Sequence, residues 1–221
     1  MKAVFCVTVM GLLWSSPIQA QITSNESERV QKAVEVVTAM RNAADKGIPE
    51  ELWSRANCAI VLPGVKKAAF GIGGEFGKGV MSCRTASGWS APVFMEMAKG
   101  SFGFQIGAQE ADLVLIVMNK NGIDKMLNDK VTLGADASVA AGPVGRTGTA
   151  ATDLKLNAEI LSYSRSRGLF AGIDVSGGVL RPDKDANAHA YGSLGAHDIV
   201  LGGGVAAPAA VRAFVDALMA R

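Results

Sequence analysis

The sequence predicts an α+β domain in which a large, mostly antiparallel β-sheet, sandwich- or barrel-like, carries helices at its N-terminal and C-terminal ends. Three observations support this. Apolar residues recur at three- and four-residue spacing before residue 57 and again after residue 208. Between those regions the spacing changes to alternation. The alternating runs are separated by short glycine-rich turns that leave no room for helical crossovers between parallel strands.

Taken in order, residues 1–20 read as a secretory signal. Lys2 precedes an apolar run from Ala3 to Trp14, followed by Ser15, Ser16, Pro17 and a small residue, Ala20. The run is shorter than the roughly 20 residues a membrane-spanning helix needs, and no cysteine follows it where lipid attachment would require one. The expectation is an exported, unanchored chain, periplasmic or secreted, with residues 21–221 forming one domain. Over 26–46, Val30, Ala33, Val34, Val37, Met40 and Ala44 form one apolar stripe on a helix that Gly47 and Pro49 end. A second short helix is expected over 49–57, with Leu52, Trp53 and Ala56 on one side.

Strands are expected over 58–62, 67–75, 78–84, 93–98, 113–119, 154–164 and 169–175. Strict alternation adds Phe102, Phe104, Ile106 and Ala108, and then Val131 through Ala141. These two alternating runs read as half-buried strands. One helical piece interrupts them over 122–129. The chain closes with a helix over 208–220 whose inner face is Val211, Phe214, Val215 and Leu218.

Composition removes several function classes. An apolar content of 49% fills a core and excludes disorder. Without Lys2, 21 basic residues face 20 acidic ones, so no long-range field gathers nucleic acid. Cys6 leaves with the signal, and Cys58 and Cys83 remain as an even pair in an oxidising compartment. One disulfide and two buried thiols both stay open, and two cysteines are too few for a zinc centre.

Catalytic and cofactor motifs fail one by one. The cluster Gly71, Gly73, Gly74 and Gly77 has Phe76 where a dinucleotide fingerprint needs glycine. Gly79 follows Lys78 where a phosphate loop needs Ser or Thr. No nucleophile elbow accompanies His189 and His197, and Ser162, Ser164 and Ser166 read as hydrogen-bonding strand residues. Asp183, Asp185, Asn187 and His189 resemble a calcium loop, but Ala188 and Leu194 occupy the glycine and glutamate positions. They are read as turn-forming residues after Pro182. No enzyme, metal or cofactor is expected.

The remaining candidate is electrostatic. On the first helix Arg29, Lys32, Arg41 and Lys46 are balanced by Glu26, Glu28, Glu35 and Asp45. In 64–84, by contrast, Lys66, Lys67, Lys78 and Arg84 face Glu75 alone. With Phe70, Ile72, Met81 and Cys83 turned inward, Lys67, Lys78 and Arg84 are expected to share an outward face. The four cations form a candidate lipid-binding set, each worth about 1 kcal/mol at an anionic membrane surface. A solvated outer face is the structural alternative.

Several glycine-punctuated blocks add a resemblance. They are 64–79 (GVKKAAFGIGGEFGKG), 88–92 (GWSAP), 100–107 (GSFGFQIG), 132–136 (TLGAD), 140–146 (AAGPVGR) and 160–172 (ILSYSRSRGLFAG). In order and spacing the chain resembles the SYLF family of lipid-binding, actin-regulating domains, from about Arg29 to Gly192. Asn187, Tyr191 and Gly192 match the family pattern, whereas the two aspartates before them are not a general feature. The resemblance implies a binding module whose partner is phospholipid or phosphoinositide head groups. Actin, or another protein bound by an envelope scaffold, is the alternative. The export signal argues against cytoplasmic actin, and no SH3 or FYVE module is attached.

Overall fold

The computed structural model describes residues 22–43, 47–144, 158–166 and 169–220. The expected signal over 1–20 lies outside the described residues, as does the part of the expected 154–164 strand before residue 158. Helices α1 (Ser24–Asn42) and α2 (Glu50–Arg55) open the fold. A capping box starts α1: the Thr23 hydroxyl accepts from the Glu26 N–H, and the Glu26 carboxylate accepts from the Thr23 N–H at 2.6 Å. Its stripe of Val30, Ala33, Val37 and Met40 is buried.

Strands β1 (Cys58–Thr85), β2 (Gly88–Trp89) and β3 (Val93–Val117) follow. After them come α3 (Ile123–Asn128), β4 (Val131–Thr132), β5 (Val139–Ala141), β6 (Ile160–Ser166), β7 (Leu169–Gly172) and β8 (Val179–Pro182). Helices α4 (Lys184–Tyr191), α5 (Ala196–Leu201) and α6 (Ala209–Met219) end the chain. Among the described residues the strands form one eight-stranded sheet, curled into a half-barrel. It is antiparallel except where β5 runs parallel to β6.

The separate strands expected over 58–84 are one long strand, paired with β3 from Cys58 opposite Val117 to Met81 opposite Val93. The hairpin folds back on itself. The Arg84 N–H donates to the Asn57 carbonyl at 2.7 Å, Lys67 meets Glu75 at 3.1 Å, and Gly79 packs against the backbone of Val61 and Leu62. The two halves of β3 consequently have different outer neighbours. Met95 to Ala98 pair with β8, and Asp112 to Val117 pair with β6.

Over 58–62 and 113–117 both faces of the sheet are covered, while the half-buried reading of 102–108 falls on side chains outside the described residues. Ala59, Val61, Val114 and Ile116 pack under α1, α2 and α6, while Cys58, Ile60, Leu62, Leu113 and Leu115 pack under α3 and α5. The near-continuous apolar runs at 58–62 and 113–117 were the sequence signal for two-sided burial. The alternation over 131–141 is likewise broken, by a turn at Gly134 with φ +84° between β4 and β5.

The Cys58 and Cys83 sulfurs are 2.07 Å apart, a disulfide that fastens the ends of β1 to each other across 25 residues. Loop entropy for that span corresponds to about 3 kcal/mol. Urea unfolding after reduction, or of the Cys58→Ser, Cys83→Ser double variant, is expected to show a loss of that size. An unchanged midpoint on reduction would mean the thiols are free in the isolated protein.

Candidate functional site

Helix α4 occupies the segment expected to be an Asx-rich turn, and its residues are used structurally. Asp183 is its N-cap, accepting from the Ala186 N–H. The Asn187 side chain donates to the Phe94 carbonyl at 2.9 Å and accepts from the Phe94 N–H at 2.8 Å, which fastens α4 to β3. The Tyr191 hydroxyl donates to the Pro92 carbonyl. Asp183, Asp185, Asn187 and His189 therefore do not converge, and no metal-binding cluster occurs among the described residues.

Asp183 joins three elements. Its carboxylate accepts from Arg29 on α1 at 3.0 Å and from Lys78 on β1 at 2.8 Å. Burial alone would raise its pKa, but Lys78, the Ala186 N–H and Arg29 together outweigh burial and hold the carboxyl below its ordinary value. Lys78 also approaches Glu96 at 3.5 Å, and Glu96 accepts from Arg181 at 2.6 Å. Arg29 lies 5.3 Å over the Phe94 ring. Further along α4, His189 meets the buried Glu26 carboxylate of α1 at 2.7 Å, which raises the imidazole pKa.

Beside this junction a cleft of about 310 Å³ opens between the first turns of α1 and the folded hairpin. Arg29, Lys32, Lys66 and Lys78 line it against Glu28, and Phe76, 51% exposed, lies among them. The cations divide by role. Arg29 and Lys78 are held by Asp183. Lys32 reaches only Glu28, in a solvent-exposed i,i+4 pair, and Lys66 is exposed with no ion pair among the described residues.

The four sequence-predicted cations are thus only partly together. Lys66 and Lys78 reach the cleft, while Lys67 pairs with Glu75. Arg84 is elsewhere, donating to the Ala56 and Trp53 carbonyls at 3.0 and 3.1 Å and lying 4.6 Å over Trp89. The shared outward face is replaced by a cleft that recruits Arg29 and Lys32 from α1. Those two were discounted in the sequence because α1 is neutral overall, yet helical spacing brings them to one side. The Ser162 hydroxyl lies 3.1 Å from the Ala140 carbonyl, as a strand hydrogen-bonding residue should.

The family model described as Ysc84, Las17-binding protein actin regulator, matches residues 98–221. The chain belongs to the Ysc84 family. This is the SYLF domain that the glycine blocks resemble. SH3 domain-containing YSC84-like protein 1 of Xenopus laevis is 34% identical over 194 residues, covering 85% of this chain and 57% of the relative. The Mus musculus protein of the same name is 34% identical over 193 residues, 85% of this chain and 56% of its own length. LAS seventeen-binding protein 3 of Saccharomyces cerevisiae is 34% identical over 172 residues, 76% of this chain and 37% of its own length. The chain spans about half the length of the animal Ysc84-like relatives it matches. The family is described as binding Las17 and regulating actin, and the yeast relative is named for binding. The cleft residues Arg29, Lys32, Lys66, Phe76 and Lys78 all precede the span of the Ysc84 family model.

Proposed function

We propose that this chain is a non-enzymatic module that docks an acidic protein surface, of the actin-regulating kind for which its family is described, through the cleft between α1 and β1. The observation that carries this reading is the pairing of weakly neutralised cations, Lys32 and Lys66, with the exposed ring of Phe76 at one opening. An exposed aromatic ring supplies the apolar anchor common in protein-binding surfaces, and the lysines around it steer an acidic partner towards it. Among the described residues both histidines contact carboxylates, His189 that of Glu26 and His197 those of Asp124 and Asp198. Neither is paired with a hydroxyl or thiol in the manner of nucleophilic catalysis.

Anionic lipid is the second reading, favoured by the same Phe76, since an exposed ring beside lysines suits insertion at a charged membrane surface. Among the described residues no helix is long and apolar enough to cross a membrane. Export of the chain, expected from residues 1–20, is a separate proposal, and it would make an envelope protein the docked surface in place of an actin regulator. An exported chain meets envelope proteins, and a retained one meets cytoplasmic partners. Cell fractionation of the tagged chain distinguishes them.

The test is co-sedimentation with filamentous actin beside flotation with phosphatidylserine vesicles. It compares wild type with a Lys32→Glu, Lys66→Glu, Phe76→Ala variant whose exposed positions leave Asp183 and its partners intact. Actin retention that falls at least tenfold in the variant, at unchanged thermal midpoint, supports the protein reading. Flotation lost in the variant without actin retention favours lipid. Equal behaviour of variant and wild type removes the cleft from either role.

A further inference from the structure

A larger pocket, about 740 Å³, lies at the other end of α1, bounded by Arg41, Trp53, Arg84, Trp89, Leu218 and Met219. Its floor is aromatic. The Trp53 and Trp89 rings meet at 5.9 Å with a 37° tilt. The Arg41 guanidinium lies 5.1 Å over Trp53, and that of Arg84 lies 4.6 Å over Trp89. Stacking on an indole face orients a guanidinium without cancelling its charge.

The hydrogen bonds do not cancel it either. Arg41 donates to the Leu218 carbonyl at 2.7 Å, and Arg84 donates to the Ala56 and Trp53 carbonyls, all neutral acceptors. The Arg41 Nε and the Trp53 Nε1 are closed to solvent and have no hydrogen-bond partner. Among the described residues lining the pocket Glu50 is the one carboxylate, so two guanidiniums against it leave an excess of one positive charge there. The Arg41 pKa is drawn below the ordinary guanidinium value, by burial first, with Arg84 adding to the effect and Glu50 opposing it. The Nη1 groups of Arg41 and Arg84 make no hydrogen bond among the described residues, so the site has donors to spare, one uncompensated charge and an apolar wall of Trp89, Leu218 and half-exposed Met219.

We propose that this pocket binds a carboxylate carried on an apolar body. A carboxylate is an acceptor-only monoanion, which matches both the donor surplus and the single excess charge. The indole and methionine surfaces bury the body beside it. The carboxylate comes either from a free organic acid or from the C-terminus of a peptide. The assignment does not depend on the cleft between α1 and β1, and each can fail without the other.

Two of the three tryptophans line this pocket, so intrinsic fluorescence of the full chain reports on it. Hexanoate is titrated against hexanol, and an apolar hexapeptide with a free C-terminus against its C-terminal amide. The expected result is a saturable change with hexanoate or the free peptide and none with hexanol or the amide. Hexanoate binding as tightly as the peptide identifies a free acid. A peptide-only response identifies a chain terminus. Arg41→Gln is expected to weaken binding at least tenfold. Glu50→Gln, an exposed change that spares the fold, is expected to strengthen it about threefold by removing the opposing charge. No response to either carboxylate, an equal response to hexanol or the amide, or an affinity unmoved by Glu50→Gln overturns the assignment. The last of these keeps the test decisive if Arg41→Gln fails to fold.

Discussion

Asp183→Ala is expected to lower the unfolding free energy by about 3 kcal/mol at pH 7, because it leaves the largely buried Arg29 unpaired and removes a helix cap together. Asp183 is 7% exposed, and its partner Arg29 is 13% exposed, so removal leaves a largely buried guanidinium without its carboxylate. Lys78 retains Glu96 and partial exposure, which keeps the loss near the lower end for a broken buried pair. Asp183→Asn retains a capping oxygen and should cost less.

The pH dependence has a definite sign. The folded-state pKa of Asp183 is depressed, so its contribution is fully present above the unfolded carboxylate value, about 4, and is lost as pH falls through the lower folded value. The gap between wild type and Asp183→Asn in urea midpoints should therefore hold from pH 7 to about pH 5 and close towards pH 2. A gap below about 1 kcal/mol at pH 7, or one that does not change with pH, would show that the triad is geometric but not energetic.

That triad also marks where sequence reasoning ran out. The excess charge counted in 64–84 was local, while the acid that neutralises Lys78 is 105 residues away. The sequence over 183–189 reads as a turn because Asp and Asn favour turns and helix caps alike. The deciding signal was available: a capping aspartate followed by an alanine-rich stretch reads as a helix start. By contrast α1 and α6 were legible, since helical periodicity reports directly on which face is buried, and so was the change from helix to strand at Cys58. The folding of β1 upon itself was not legible. Alternation fixes the face of each side chain but carries no information about which distant strand lies alongside.

Gly79→Ala tests that fold-back most directly and should cost about 3 kcal/mol or more, near the upper end for overpacking. A Cβ at Gly79 would stand 1.9 Å from the Val61 carbonyl oxygen and 2.7 Å from the Leu62 Cα. Both are backbone atoms in a buried strand with no rotamer to yield, so the two halves of β1 would have to separate. Two neighbouring glycines grade the effect. At Gly77 the obstacle is the Val65 Cγ2 at 2.6 Å, a side chain that can rotate, and a loss of about 1 kcal/mol is expected. At Gly100 nothing lies within 4 Å, and alanine should be neutral or slightly stabilising, by about 0.5 kcal/mol, through the unfolded chain. Urea unfolding of the three variants should follow the order 79, 77, 100. Because Gly79 adjoins Lys78, its substitution should also pull Lys78 from Asp183 and open the cleft, so binding through Lys66 and Phe76 should fall with stability. Three equal losses would mean that the halves of β1 do not lie against each other in solution. The cleft would then lose the hairpin that forms one of its walls.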